Sequence, residues 1–218
     1  MIKLNCENCA RCCYSKKPGT ENLILHKPEE HRENLVILTH DEVKNFWHEG
    51  FGSLLFVSRL YREKDKTVIK IGIANFLKMI DGEWWAVCPF LDPSTKKCRI
   101  YKTELSPLYC KSYPYINLLY NRPTNCGERV SGEMDKAEND KAKKYFEMIK
   151  FHDAFGMDEN FDKLKEIITR RGPFLVCQKL VYNSFGEPRA ELKTKYKEIF
   201  EIIQKEHQFS LDAKQQAA

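Results

Sequence analysis

A chain of 218 residues can bury a sound core as one domain, or as one domain with a helical appendage. Hydrophobic residues at 42% and aromatics at 12% argue for a folded globule and against intrinsic disorder. The formal net charge is +5, and residues 133–218 hold 16 Lys and Arg against 16 Asp and Glu, so the whole excess lies in residues 1–132. There is no basic block, so this balance permits a nucleic-acid partner without indicating one.

No stretch approaches the length of a membrane span, and no membrane association is expected. Met1 to Asn5 meet a cysteine before any apolar run begins, so no export signal is expected either. Nine cysteines in that setting point to a reducing cytoplasm, where clustered thiols hold metal more often than disulfides. An odd cysteine count and the adjacent pair Cys12-Cys13 suit an exported disulfide protein badly.

The chain opens on Cys6, Cys9, Cys12 and Cys13, four sulfurs in eight residues. Two-residue gaps let a tight loop turn successive thiolates toward one centre, a spacing shared by zinc knuckles and iron–sulfur loops. Residues 15–31 are polar and read as a loop wrapping that site. Leu35-Val36-Ile37-Leu38 reads as a short strand. Thr39-His40-Asp41-Glu42 then has the form of a capping box, starting a helix with Val43, Phe46 and Trp47 on one face and Gly50 as its stop. Residues 54–74 predict a hairpin, and residues 76–87 a second one turned at Asp81-Gly82, a pair that tolerates positive φ. The last strand, Trp84-Trp85-Ala86-Val87, delivers the chain into Cys88, so a sheet would aim the second batch of sulfurs at the first.

From Glu133 the character becomes charged helix. Tyr145, Met148, Ile149, His152 and Phe155 share one helical face, and Phe161, Leu164, Ile167 and Ile168 share another that stops at Gly172-Pro173. Leu192, Tyr196, Ile199, Phe200 and Ile203 predict a third helix. Residues 174–182 are apolar and β-prone, which allows an extra strand. The predicted division is a cysteine-cluster metal-binding domain over 1–132, a helical region over 133–210 packed on it, and a frayed tail at 211–218.

The second batch of sulfurs is Cys88, Cys98 and Cys110, with Cys126 further on. A three-cysteine run completed by a remote cysteine before proline echoes a ferredoxin-type set; four thiolates in a tetrahedron would equally close a zinc site. Spacing leaves the two open. Side chains of neighbouring residues diverge in strand and helix, so Cys12 and Cys13 serve two centres, or one is a ligand and the other is buried or reactive. Cys177 sits in an apolar run and reads as a small core residue.

Three pieces carry a resemblance: Cys6-x2-Cys9-x2-Cys12-Cys13; Cys88-Pro89-Phe90-Leu91 followed by Cys98-Arg99-Ile100-Tyr101; and Pro107-Leu108-Tyr109-Cys110-Lys111-Ser112-Tyr113-Pro114. In these the chain resembles the YkgJ-type cysteine-cluster family of zinc- or iron-chelating domains. Ser106 and Lys111 stand where that family has arginines, and Leu105-Ser106 is closer to the flagellin lysine N-methylase branch. The likeness spans residues 6–114 and leaves 133–218 uncovered. It implies a metal, held as an iron–sulfur cluster (4Fe–4S favoured) or as zinc, by Cys6, Cys9, Cys12, Cys13, Cys88, Cys98, Cys110 and Cys126. In the methylase branch it implies methyl transfer to protein lysine with S-adenosylmethionine. Against that stands the lack of a glycine-rich strand–loop–helix stretch, since Gly50-Phe51-Gly52 follows a helix.

His26, His31, His40, His48, His152 and His207 lack tight spacing to any cysteine and read as surface or capping residues. Asp41 and Glu42 are acid–base candidates better explained by the cap. Trp84, Trp85, Tyr101, Tyr109, Tyr113 and Tyr115 crowd the second sulfur batch, where they pack a core, shield a cluster or stack a base. Arg99, Lys102 and Lys111 can neutralise thiolates. The expected fold is α+β: a small antiparallel sheet with a cysteine-rich metal site, and a helical C-terminal half. The expected function is a cytoplasmic cysteine-cluster metal-binding protein. Its alternatives are a lysine-methylase-like enzyme and a nucleic-acid or protein binding module with structural zinc.

Overall fold

A computed structural model describes residues 3–4, 13–16, 36–63, 66–101, 103–113, 115–119, 130–131, 134–152, 155–157, 160–191 and 193–216. Helices and small antiparallel sheets alternate with segregated helices, an α+β architecture. Among the described residues there are three sheets where the sequence suggests one. The first joins β1 (Lys3–Leu4) to β7 (Val130–Ser131). The second runs β2 (Tyr14–Lys16), β6 (Glu83–Val87), β5 (Phe76–Ile80). The third runs β3 (Leu55–Glu63), β4 (Lys66–Ile73), β8 (Phe155–Met157).

The two hairpins follow from local chemistry. Asp81 (φ 52°) and Gly82 (φ 78°) adopt the left-handed turn that the Asp-Gly pair favours, and β5 and β6 pair from Ile80↔Glu83 back to Phe76↔Val87. In β3–β4 the register slips between Val57 and Arg59, and the Ser58 hydroxyl at the irregularity donates to Lys70 O (3.0 Å). The expected strand at 35–38 shrinks to a single bridge, Ile37↔Gly72, flanked by Leu38 N–H to Ile71 O and Ile73 N–H to Val36 O (both 3.0 Å). Gly72 has no room for more: a methyl group there would lie 3.0 Å from Val36 O.

Helix α1 (His40–His48) begins on the expected capping box, with Thr39 accepting from Glu42 N–H and Glu42 accepting from Thr39 N–H. Short helices α2 (Leu108–Ser112) and α3 (Tyr115–Leu119) follow, then α4 (Lys136–His152), α5 (Phe161–Arg171), α6 (Pro173–Phe185) and α7 (Thr194–Gln216). Phe155, expected on the face of α4, lies instead in β8 opposite Ile69. Residues 174–182, readable as a strand, are the interior of α6. Pro173 at the first helical position and Gly172 at φ 83° start that helix, and its buried residues Val176, Cys177 and Val181 fall on a helical stripe.

One apolar core joins both halves of the chain. Phe46 and Phe51, on and after α1, meet Phe90 edge-on at 5.6 and 5.3 Å. Phe51 also meets Tyr196 and Phe200 of α7, at 6.2 and 5.8 Å. These centroid separations and near-perpendicular rings are the favoured aromatic arrangement. Phe46, Phe51, Phe90 and Tyr196 are essentially without exposed surface. The core thus sits beneath the loop that leaves β6 at Cys88.

Candidate functional site: the cysteine-bearing strand ends

Strand β2 pairs with β6 through Tyr14↔Val87, Ser15↔Ala86 and Lys16↔Trp85. Just beyond the Tyr14↔Val87 pair, Cys88 N–H donates to Cys13 O at 2.9 Å. The expectation that β6 carries Cys88 toward the opening cysteines therefore holds for the backbone of Cys13. Both cysteines are half-buried, and Cys88 packs on the edge of the core. Nothing in the sequence distinguishes Cys13 from Cys12 as the residue bonded to Cys88; the strand register does.

Past Cys88 the chain is tightly organised. Phe90 and Leu91 are buried, Leu91 bridges to Cys98, and Arg99 N–H returns to Phe90 O (2.8 Å). Asp92 turns the loop: its Oδ1 accepts from Ser94 N–H (2.9 Å), the Ser94 hydroxyl (2.6 Å) and Thr95 N–H (3.3 Å). Those donors, the Ser94 hydroxyl foremost, hold the exposed Asp92 carboxyl well below the usual carboxylate range. Lys96, at φ 56°, completes the reversal. The Arg99 guanidinium donates to Pro89 O (3.3 Å) and Leu91 O (3.2 Å) and reaches Glu206 of α7 at 2.8 Å. Arg99 thus clamps the loop between Cys88 and Cys98 and ties it to the last helix.

Cys110 is exposed on α2, whose first N–H group, Leu108, donates to Glu42 Oε1. Cys177 is fully buried in α6, where burial pushes its thiol up to about 12. Among the described residues no disulfide joins Cys13, Cys88, Cys98, Cys110 or Cys177. Cys6, Cys9, Cys12 and Cys126 lie outside the described residues, as do His26, His31 and Lys102. Tyr101 is exposed. His40 packs edge-on against Phe185 at 4.9 Å.

Among the described residues no group of three or more His, Cys, Asp or Glu side chains could hold a metal ion. This overturns the expected cysteine-cluster metal-binding function. With it go the two alternatives built on a bound metal, the iron–sulfur methylase and the zinc-based binding module. The physical reason is convergence: a closed site needs three or four donors at one point. Among the described residues, the backbone of Cys98 bridges to Leu91, Cys110 lies exposed on α2, and the backbone of Cys13 bonds to Cys88.

Sequence reasoning missed a polar cluster on the other side of α1. Glu49, at the end of α1, is 3% exposed, and its Oε1 takes Arg189 (2.8 Å) and Lys193 (3.5 Å) from the segment between α6 and α7. Lys193 also reaches Glu104; that contact, with the charge of Glu49 behind it, raises the lysine's pKa. Trp47 Nε1 donates to Gly186 O at 2.8 Å. Such pairings join residues about 140 positions apart, and no local pattern announces them.

No helix among the described residues is long and apolar enough to cross a membrane. A family model described as a family of unknown function, DUF7531, matches residues 73–149, about a third of the chain. That span runs from the end of β4 through the Cys88–Cys110 region into α4. No curated protein and no solved structure matches the chain.

Proposed function

We propose that the chain is a redox-responsive thiol protein whose working pair is Cys13 and Cys88. The observation that carries this reading is the 2.9 Å hydrogen bond from Cys88 N–H to Cys13 O, which joins the two residues just beyond the paired ends of β2 and β6. Backbones joined by a bond of this kind approach to on the order of 5.5 Å between Cα atoms, a separation that a disulfide spans. Both positions are half-buried, unlike Cys177, whose thiol is locked away in the core.

The reaction balances with a hydroperoxide as oxidant. One thiolate attacks the peroxide oxygen, giving a sulfenic acid and releasing water; the second thiol attacks that sulfur, forming the S–S bond and releasing a second water. Two thiols are oxidised and one hydrogen peroxide is reduced to two waters. A thiol reductant reverses the step by exchange.

The test is peptide mapping after brief hydrogen peroxide treatment, under non-reducing conditions. The expected product is a Cys13–Cys88 cross-link that dithiothreitol removes and that Cys88→Ser abolishes. Oxidation that joins other cysteines, or that proceeds at an unchanged rate in both Cys13→Ser and Cys88→Ser, overturns the proposal.

A further inference from the structure

We infer that the outer face of α6 docks an acidic amphipathic segment of a protein partner. Three of the large apolar side chains left exposed among the described residues belong to this one helix: Phe174 (41% exposed), Leu175 (63%) and Tyr182 (46%). Leu175 and Tyr182 are seven residues apart, so they lie two turns from each other on one stripe, about 10 Å along the axis, with Lys179 between them. The opposite side of α6, formed by Val176, Cys177 and Val181, is already buried. The helix is therefore apolar on two faces, and only one is covered by the fold.

The helix is held in place from its covered side. Phe174 stacks on Phe56 of β3, with ring centroids 5.6 Å apart and planes inclined by 29°. At the far end the Tyr182 hydroxyl bonds to Glu187, which raises its pKa. A fixed aromatic edge with a polar tip loses little freedom on binding, and such residues dominate interface energetics.

Charge names the occupant. Helix α6 carries Lys179 and neither Asp nor Glu, and α5 ends on exposed Arg170 and Arg171 beside its start. Arg170 is engaged by Glu166 at 3.2 Å, whereas Arg171 and Lys179 form no ion pair among the described residues. The one acid at this face, Glu187, lies beyond the C-terminal end. The apolar stripe is thus bordered by cations at its N-terminal and middle parts. A helix that lays leucines along the stripe, with glutamates toward Arg171 and Lys179, matches both features. This surface is distinct from the thiol pair and stands whether or not that pair closes.

The probe is a labelled synthetic helix of about four turns with leucines at one face and glutamates flanking them, titrated against the full chain by fluorescence anisotropy at low salt. Saturable binding is expected, with amide-exchange protection over residues 173–185 and at least about a tenfold loss in affinity for Leu175→Glu and for Lys179→Glu. Both side chains are exposed, so the variants should keep the parent thermal melt, which is measured alongside. The inference is overturned by no saturable binding, by equal binding of the same peptide with lysines in place of glutamates, or by protection elsewhere. It is also overturned if the chain self-associates with increasing concentration and Leu175→Glu abolishes that, since the occupant is then a second copy.

Discussion

The carboxylate of Glu42 accepts two backbone N–H groups from distant parts of the chain: Thr39, at 2.8 Å, and Leu108, at the start of α2. Burial raises its pKa above the ordinary 4.5, and the hydrogen bonds and Lys111 offset that only in part. The sign follows from linkage. A carboxyl whose folded pKa is raised binds protons more readily in the folded state, so stability falls as pH rises from 4.5 through the raised value and is flat beyond it. Glu42→Gln removes that dependence, so the stability difference between parent and variant, measured by urea unfolding, should move against the parent across that window. Glu42→Ala should cost about 1–3 kcal/mol at neutral pH, because two partly buried N–H groups lose their acceptor. A cost below about 0.5 kcal/mol would show that water replaces the carboxylate at both.

At the level of elements, α1 is fixed at its end by a contact between Trp47 and Gly52. A methyl group on Gly52 would sit 2.5 Å from Trp47 Cε3 and 2.6 Å from Cζ3. The indole cannot easily yield, since its Nε1 is hydrogen-bonded to Gly186 O at 2.8 Å. Gly52→Ala should therefore destabilise by about 1–3 kcal/mol through overpacking. Pairing it with Trp47→Leu should cost less than the sum of the two changes, because the smaller side chain vacates the clashing volume. Strict additivity in urea unfolding would refute the steric account. The capping box of α1 and the Asp81-Gly82 turn were legible in the sequence because each is set by residues within four positions of one another. Helix α6 was not: a short apolar run suits a buried strand or a buried helix equally, and the packing of Val176, Cys177 and Val181 decides.

Across the whole molecule, Arg99 joins the cysteine-bearing loop to α7. Its guanidinium holds Pro89 O, Leu91 O and Glu206, and both members of the ion pair are largely buried, with 13% and 22% of their side chains exposed. Arg99→Ala removes the ion pair to Glu206 and frees the loop, and should cost about 2–4 kcal/mol. Amide exchange should rise together in residues 88–100 and in α7, since one side chain restrains both. A rise confined to the loop would show that the aromatic contacts of Phe51 with Tyr196 and Phe200 suffice to dock α7.

The amino-acid order by itself determined the hairpins, the start of α1, the helical character beyond residue 133 and the approach of the end of β6 to the backbone of Cys13. Each rests on short-range chemistry: a side chain that caps, a turn that needs positive φ, an apolar period. Only the tertiary structure decided that the backbone of Cys13 bonds to Cys88 and that Glu49 gathers Arg189 and Lys193. Spacing along a chain measures covalent distance, whereas convergence in space is fixed by strand register and by the sum of many long-range contacts. A cysteine pattern can therefore announce candidate ligands, but the fold selects which sulfurs become neighbours.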